Sequence, residues 1–341
     1  MSNPTETSSL WKHRDFIKLW GTQTTSAIGS RVSFLALPLT AVLILQATPA
    51  QMGYLSAVGA LPGLLFGLFI GVWVDQRKRR PLLVLADVGR GLLLLVIPLA
   101  AWLGFLHITV LYAILFSTGT LSRLFDAAYH AYLPSMVQRK QLVDANSKLE
   151  LSRSAAEIAG PSLGGWLVQV ITAPVAILVD SCSFFLSAFF LRTIRQPESA
   201  PILADKDEPW LPQLWAGVRL LMENRMLLLI TVSTAIAIFF NAALEALYLL
   251  YMSDNLELSS SLIGIIFGTG SVGFVVGALL PNRLTKRFGL GPTLIAGMII
   301  LAASDFVLPL AAGPKPVIVL LLIASQIFFG LGLTLFNFTF W

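Results

Sequence analysis

Long apolar runs alternate with short polar breaks from residue 19 to the end of the chain. The runs cover about 19–45, 52–74, 82–103, 108–130, 147–171 and 173–191, then, after a polar interval, 226–251, 259–280, 293–312 and 317–341. Each is close to the roughly 20 residues a helix needs to cross the hydrocarbon of a bilayer. The pattern therefore predicts an all-α, polytopic membrane protein of about ten transmembrane helices.

The polar breaks carry the orientation. Asp75, Gln76 and four consecutive cations, Arg77, Lys78, Arg79 and Arg80, stand between two apolar runs, where the chain has to turn back. Charge of that density cannot sit in hydrocarbon, and Lys and Arg in short loops mark the cytoplasmic side. If the N-terminal tail is cytoplasmic too, alternate breaks hold all of the 23 Lys and Arg except Arg31, Arg90, Arg123 and Lys315. Loops on the other side, such as 47–50 and 253–258, carry no cation. The expected placement is a multi-pass protein of the cytoplasmic membrane with a cytoplasmic N-terminus. Residues 1–10 lack the charged start, apolar middle and small-residue cleavage site of a signal peptide, so they are expected to remain as a tail.

One break is long. Residues 192–225 begin with Pro197, Pro201, Asp205, Asp207, Glu208 and Pro209, a polar linker, and continue with Trp210, Leu211, Leu214, Trp215, Val218, Leu221 and Met222 on one helical face. An amphipathic helix on the cytoplasmic surface is expected there. The linker divides the chain into 1–191, a six-helix half, and 226–341, four helices. The halves look related: Gly67-x-x-x-Gly71 with its cationic tip recurs as Gly273-x-x-x-Gly277 followed by Arg283, Lys286 and Arg287. The same offset sets Trp341 opposite Ser135, so an internal repeat of six-helix halves predicts two further helices after the last run.

Composition narrows the chemistry. Hydrophobic residues make up 56% and charged residues 12%, and the mean hydropathy is +0.79, values that exclude an ordinary soluble domain. The net charge of +5 belongs in loops against anionic lipid. There is no basic groove interleaved with aromatics of the kind that binds nucleic acid. Cys182 is the single cysteine and reads as a small buried hydrophobe. His107 and His130 have no second ligand at metal spacing. No Gly-x-x-x-x-Gly-Lys-Ser/Thr loop occurs, and no Ser/His/Asp arrangement offers an enzyme site, so neither a cofactor nor an enzyme activity is expected.

Two motifs carry a resemblance. Gly71-x-x-x-Asp75-x-x-x-Arg79-Arg80-Pro81 resembles the loop signature of the major facilitator superfamily, and Gly160-Pro161-Ser162-Leu163-Gly164-Gly165 resembles the fifth-helix signature of its drug–proton antiporters. Phe125-Asp126-Ala127-Ala128 and Leu133-Pro134-Ser135-Met136-Val137 are similar to the efflux branch that includes macrolide and enterobactin exporters. The resemblance implies two six-helix halves, here with the last two helices apparently missing, and a conformational role for Gly71, Asp75, Arg79, Arg80, Gly160, Pro161, Gly164 and Gly165. Tight packing alone accounts equally well for the small-residue stripe Gly59, Gly63, Gly67, Gly71.

Ionisable groups at membrane depth cost about 2.5–3.5 kcal/mol each near a helix centre and so face a partner or a wet cavity. Asp87 with Arg90, and Arg123 with Asp126, are spaced to pair within their own helices. In the resembling fold the first, fourth and seventh helices line the cavity, which makes Arg31, Arg123 and Glu245 substrate candidates. Asp126 and Glu157 are the proton-carrier candidates, since a partly desolvated carboxylate can load and release a proton between two access states. Asp180 and Glu245 are expected near the outer helix ends, where solvation accounts for them. Asp305 is expected mid-helix but peripheral. Phe34, Phe239, Phe240 and Phe336 are available to an apolar pocket. The expected function is proton-coupled export of a small amphipathic or drug-like compound or siderophore by a monomer, with substrate, protons and lipid as its partners. An inactive remnant and an uptake symporter are the other readings.

Overall fold

The computed structural model describes residues 10–138, 141–195, 219, 222–307, 310, 311 and 313–338. A short helical turn, Leu10–Lys12, leads into six helices, α1 (Arg14–Leu43), α2 (Pro49–Asp75), α3 (Arg79–Trp102), α4 (Ile108–Met136), α5 (Leu142–Ile171) and α6 (Ala173–Thr193). Four more correspond to the later apolar runs: α7 (Arg225–Leu250), α8 (Ser260–Leu279), α9 (Leu290–Phe306) and α10 (Lys315–Phe338). The expected amphipathic helix between α6 and α7 lies outside the described residues. A separate short helix, Pro281–Phe288, occupies the loop before α9 and ends at Gly289, whose φ of 88° lets the chain turn into the next helix.

Each of α1–α10 falls on an expected run, because a chain without water around it has to satisfy its backbone internally. Six of the described helices are long and apolar enough to cross a bilayer outright, and α2 adds a seventh if its two parts, bent around residue 68, are one span. α5 is more polar, with Lys148, Glu150, Arg153 and Glu157 along its N-terminal part and Gly160, Pro161, Ser162, Gly164 and Gly165 beyond them. The outward faces are apolar: Leu64 is 81% exposed and Leu320 68%. Surface of that kind belongs against lipid tails.

Inside, small and polar residues do the packing that hydrophobicity cannot do in lipid. On α3 the buried stripe runs Leu83, Ala86, Asp87, Arg90, Gly91, Leu94, Ile97, while Leu85, Leu92 and Leu99 face out. Cys182 departs from expectation: it is exposed, because its neighbours Ser181 and Ser183 take the buried face of α6. α2 opens with a capping box in which Thr48 and Gln51 bond each other's backbone N–H at 3.3 and 2.8 Å, followed by Pro49 at the first helical position.

Several of the cationic breaks come together at one end of the bundle. Arg80 donates to the carbonyls of Leu191 and Arg192 at 2.9 and 2.6 Å, capping the C-terminus of α6, and Lys18 donates to Thr193 O at 2.6 Å. Asp15 accepts from the backbone N–H of Arg195 at 3.2 Å. The buried cluster near this cationic end (Phe16, Leu83, Tyr132, Leu149, Leu191 and neighbours) draws only on residues up to Ile194. The larger cluster toward the opposite end joins Val32, Leu35, Met52, Leu55 and Val168 to Leu249, Met252, Ile263, Ile266 and Leu322. Among the described residues, α1–α6 and α7–α10 therefore share a buried core toward the opposite end and none at the cationic end.

Candidate functional site

α5 crosses α1 on one side and α8 on the other, and the Gly160–Gly165 motif makes both crossings possible. A side chain at Gly160 would run into that of Arg31, and one at Gly164 would lie 3.2 Å from the backbone of Val32. On the α8 side a side chain at Gly165 would come within 2.9 Å of Gly264 Cα. Ser162 Oγ donates to Gly264 O at 3.3 Å, and Pro161, buried inside α5, has its own carbonyl against Gly264. The motif is a two-sided close contact between backbones.

One turn toward the cationic end, the same crossing places charge. Glu157 on α5 accepts from Arg31 of α1 and, at 3.2 Å, from Arg153 Nε one turn back on its own helix. Its backbone carbonyl accepts from Ser271 Oγ of α8 at 2.8 Å. A single residue is thus tied to three helices.

These groups line a cavity of about 450 Å³ with Phe34, Tyr248, Phe267, Phe274, Phe329, Asp305, Ser325 and Gln326 among its walls. That volume suits a drug-sized molecule. A second chamber of about 600 Å³ lies closer to the opposite end, between Leu37, Pro38, Met52, Leu55, Ser56 and Leu249, with Arg123 as its charged wall residue. Phe34 and Phe267 line both chambers, with ring centroids 6.3 Å apart, and Tyr248 packs edge-on to Phe267 at 5.6 Å. This aromatic set forms the partition.

The remaining expected residues fall in different places. Among the ion pairs of the described residues there is none between Arg123 and Asp126: Gly63 leaves a groove on α2 into which the Arg123 guanidinium turns, its Nε 3.2 Å from where a Gly63 Cβ would stand. Asp126 is exposed and close enough to Arg153 to act on it electrostatically, but it does not line either chamber. The side chains of Glu245, Phe239 and Phe240 lie outside the described residues, and Phe336 is buried away from both chambers. Asp75 is exposed, and no side chain would meet a Cβ at Gly67 or Gly71. Arg79 is 7% exposed. Asp87 and Arg90 do pair, buried, with Ser187 donating to Asp87 and the guanidinium lying over Phe125 and Phe184 at 4.5 and 4.1 Å.

Two carboxylates overturn their expectation. Asp305 is neither central nor peripheral: α9 ends at Phe306, so Asp305 sits in its last turn and lines the first chamber. Asp180 is 2% exposed, because α6 turns it onto Ser30 and Ser183 instead of toward water. Arg153 was not among the expected site residues, although its i, i+4 spacing to Glu157 was the available signal, and nothing in the pattern singled out Tyr248, Ser325 or Gln326. No group of three or more His, Cys, Asp or Glu capable of holding a metal stands together among the described residues.

The long apolar helices α1–α10, with charge placed where helices cross beside a cavity, make a bundle of the kind that crosses a membrane. The family model of the major facilitator superfamily matches residues 19–340, and the chain belongs to that superfamily. A Bacillus subtilis uncharacterised MFS-type transporter, YfiS, is 26% identical over 178 residues, 52% of this chain and 42% of its own length. Macrolide efflux protein A of Streptococcus pyogenes is 22% identical over 272 residues, 79% of this chain and 66% of that protein. The chain thus spans between two fifths and two thirds of these relatives. Among solved structures, the nucleoside transporter NupG superposes with a TM-score of 0.73 over 95% of this chain and 80% of that one, at 13% identity.

Proposed function

We propose that the protein is a secondary active transporter of the cytoplasmic membrane that exports a small amphipathic compound in exchange for protons. The observation that carries this reading is Glu157, an acid in the cavity wall held by Arg31 and Arg153 and tied through its backbone to α8. When Glu157 takes a proton, Arg31 loses its anion and Arg153 keeps only Glu150, 4.0 Å away, so the crossing of α1 and α5 loses its electrostatic tie. When it releases the proton the tie re-forms. That crossing adjoins the point where Ser271 of α8 binds the Glu157 carbonyl, so loading and release act beside the contact between residues 1–191 and 226–341, which we take as the two moving parts on either side of the linker 192–225. Asp126, in electrostatic reach of Arg153, serves as the relay between Glu157 and the cytoplasm. We take the cationic end as cytoplasmic, so that the arrangement is open inward, with the shared core near the opposite end as the closed gate.

The walls describe the cargo. Phe34, Phe267, Phe274 and Phe329 offer apolar and aromatic surface, while Arg31 and Asp305 offer opposite charges, which suits an amphipathic molecule with one or two polar groups. The name of the macrolide efflux relative supports export. The test is collapse of a pH gradient in everted vesicles containing this chain, challenged with lipophilic cations, macrolides and catechol siderophores. A compound that dissipates the gradient supports antiport. A compound that is taken up together with protons into right-side-out vesicles, and does not dissipate the gradient in everted ones, would replace export by symport.

A further inference from the structure

A second polar tract runs through the interior of α1, α3 and α6, away from Glu157. It contains two carboxylates, Asp87 at 0% and Asp180 at 2% exposure, and one guanidinium, Arg90 at 7%. Arg90 is committed to Asp87 and lies over two aromatic rings. Asp180 has no ion pair among the described residues. The tract is short of one positive charge, and a lone buried carboxylate is among the most costly groups a protein can hold.

Hydrogen bonding does not cover the deficit. Ser30 Oγ reaches Asp180 Oδ1 at 3.3 Å and Ser183 Oγ at 3.2 Å, both long for a hydroxyl on a carboxylate. Ser183 has a single proton, and its oxygen lies closer, at 2.8 Å, to Asp180's own carbonyl. Ser33, 4% exposed, stands beside the same carboxylate, and its hydroxyl has no hydrogen-bond partner. Gly29 lets α1 press close on this group: a Cβ there would lie 2.2 Å from Ser183 Oγ and 2.7 Å from Asp180 Oδ1, so only a glycine permits the approach that brings the serines of α1 to the carboxylate.

We propose that Asp180, Ser30, Ser33 and Ser183 form a sodium-ion site between α1 and α6. One carboxylate with three hydroxyl oxygens is a hard, oxygen-only donor set, which suits an alkali or alkaline-earth ion and not zinc or iron. A single positive charge neutralises the tract, whereas a divalent ion would leave it in excess. The ion has a way in, because Ser33 also lines the second chamber. Occupancy would hold α1 against α6, and α1 is the helix that presents Arg31 and Phe34 to the first chamber.

The test is binding, so it stands or falls apart from the transport reading. The thermal unfolding midpoint of the full chain in lipid nanodiscs is measured against NaCl, KCl and choline chloride at constant ionic strength and fixed alkaline pH, beside direct binding of radioactive sodium. The expected result is a saturable rise with NaCl alone. Ser33→Ala should raise the half-saturating sodium concentration about tenfold, as loss of a ligand-sphere partner does, with its sodium-free midpoint close to that of the unaltered chain. Asp180→Asn should be indifferent to sodium and, with the uncompensated charge gone, no less stable than the unaltered chain without sodium. Equal midpoints in the three salts, a sodium response that survives Asp180→Asn, or stabilisation by acid in place of sodium would each overturn the proposal.

Discussion

Arg31 and Glu157, 126 residues apart in the chain, meet as an ion pair where α1 crosses α5, at the point where Gly160 removes the side chain that would keep the two helices apart. The glycine and the pair belong to one arrangement. The close crossing brings the guanidinium within reach of the carboxylate, and the pair lies on the cavity wall and not in lipid.

Glu157 keeps Arg153 when Arg31 is removed. Arg31→Ala is therefore expected to cost no more than about 1 kcal/mol, the usual scale for a partly exposed pair. Glu157→Leu leaves Arg31 without its carboxylate while Arg153, 62% exposed, keeps Glu150 at 4.0 Å, so its cost is expected to exceed that of Arg31→Ala and still to stay at about 1 kcal/mol. Chemical unfolding of the purified chain in detergent ranks the two.

The glycines of α2 and α5 divide by what lies opposite them. Gly165→Leu drives a side chain into the α8 backbone at Gly264 and is expected to destabilise by about 1–3 kcal/mol. Gly67→Ala meets nothing within 4 Å and is expected to be neutral or to stabilise by up to about 1 kcal/mol through helix propensity. Thermal midpoints of the two variants check the contrast.

Most of this fold was legible because lipid allows few alternatives: ten apolar runs became ten helices, and their ends moved by only a few residues, as with α5 starting at Leu142 instead of near Ser147. The cationic breaks likewise marked segments that the structure ties together through Arg80 and Lys18. What the pattern left open was the rotation of each helix about its axis. Spacing allowed Arg123 to pair with Asp126, but a groove at Gly63 on another helix took Arg123 away. Asp180 and Asp305 each sit within an apolar run. Only the facing helices decide that the first is sealed among serines and the second opens on a cavity. Such contacts are set by residues far along the chain, as Gly63 is from Arg123 and Ser30 from Asp180, and a single sequence does not display them.

Asp87 and Arg90 are buried together, so removing one charge should cost far more than removing both. Asp87→Asn is expected to destabilise by about 3–5 kcal/mol, and adding Arg90→Leu should restore a large part of that loss. A double-mutant cycle on unfolding free energies measures the coupling.

Phe267 separates the two chambers through its contacts with Phe34 and Tyr248. Phe267→Ala is expected to join them, to admit bulkier ligands, and to lose about 0.5–1.5 kcal/mol for each aromatic contact beyond simple burial. Binding of a graded series of fluorescent amphiphiles, beside the thermal midpoint, reports both effects.

The central claim is that a proton on Glu157 drives the movement of substrate. It is tested most directly in proteoliposomes by comparing the unaltered chain with Glu157→Gln in two modes, transport driven by an imposed pH gradient and substrate exchange without one. Glu157→Gln is expected to lose gradient-driven transport while exchange continues, because the carrier is gone and the cavity remains. Gradient-driven transport that persists undiminished in Glu157→Gln would contradict it.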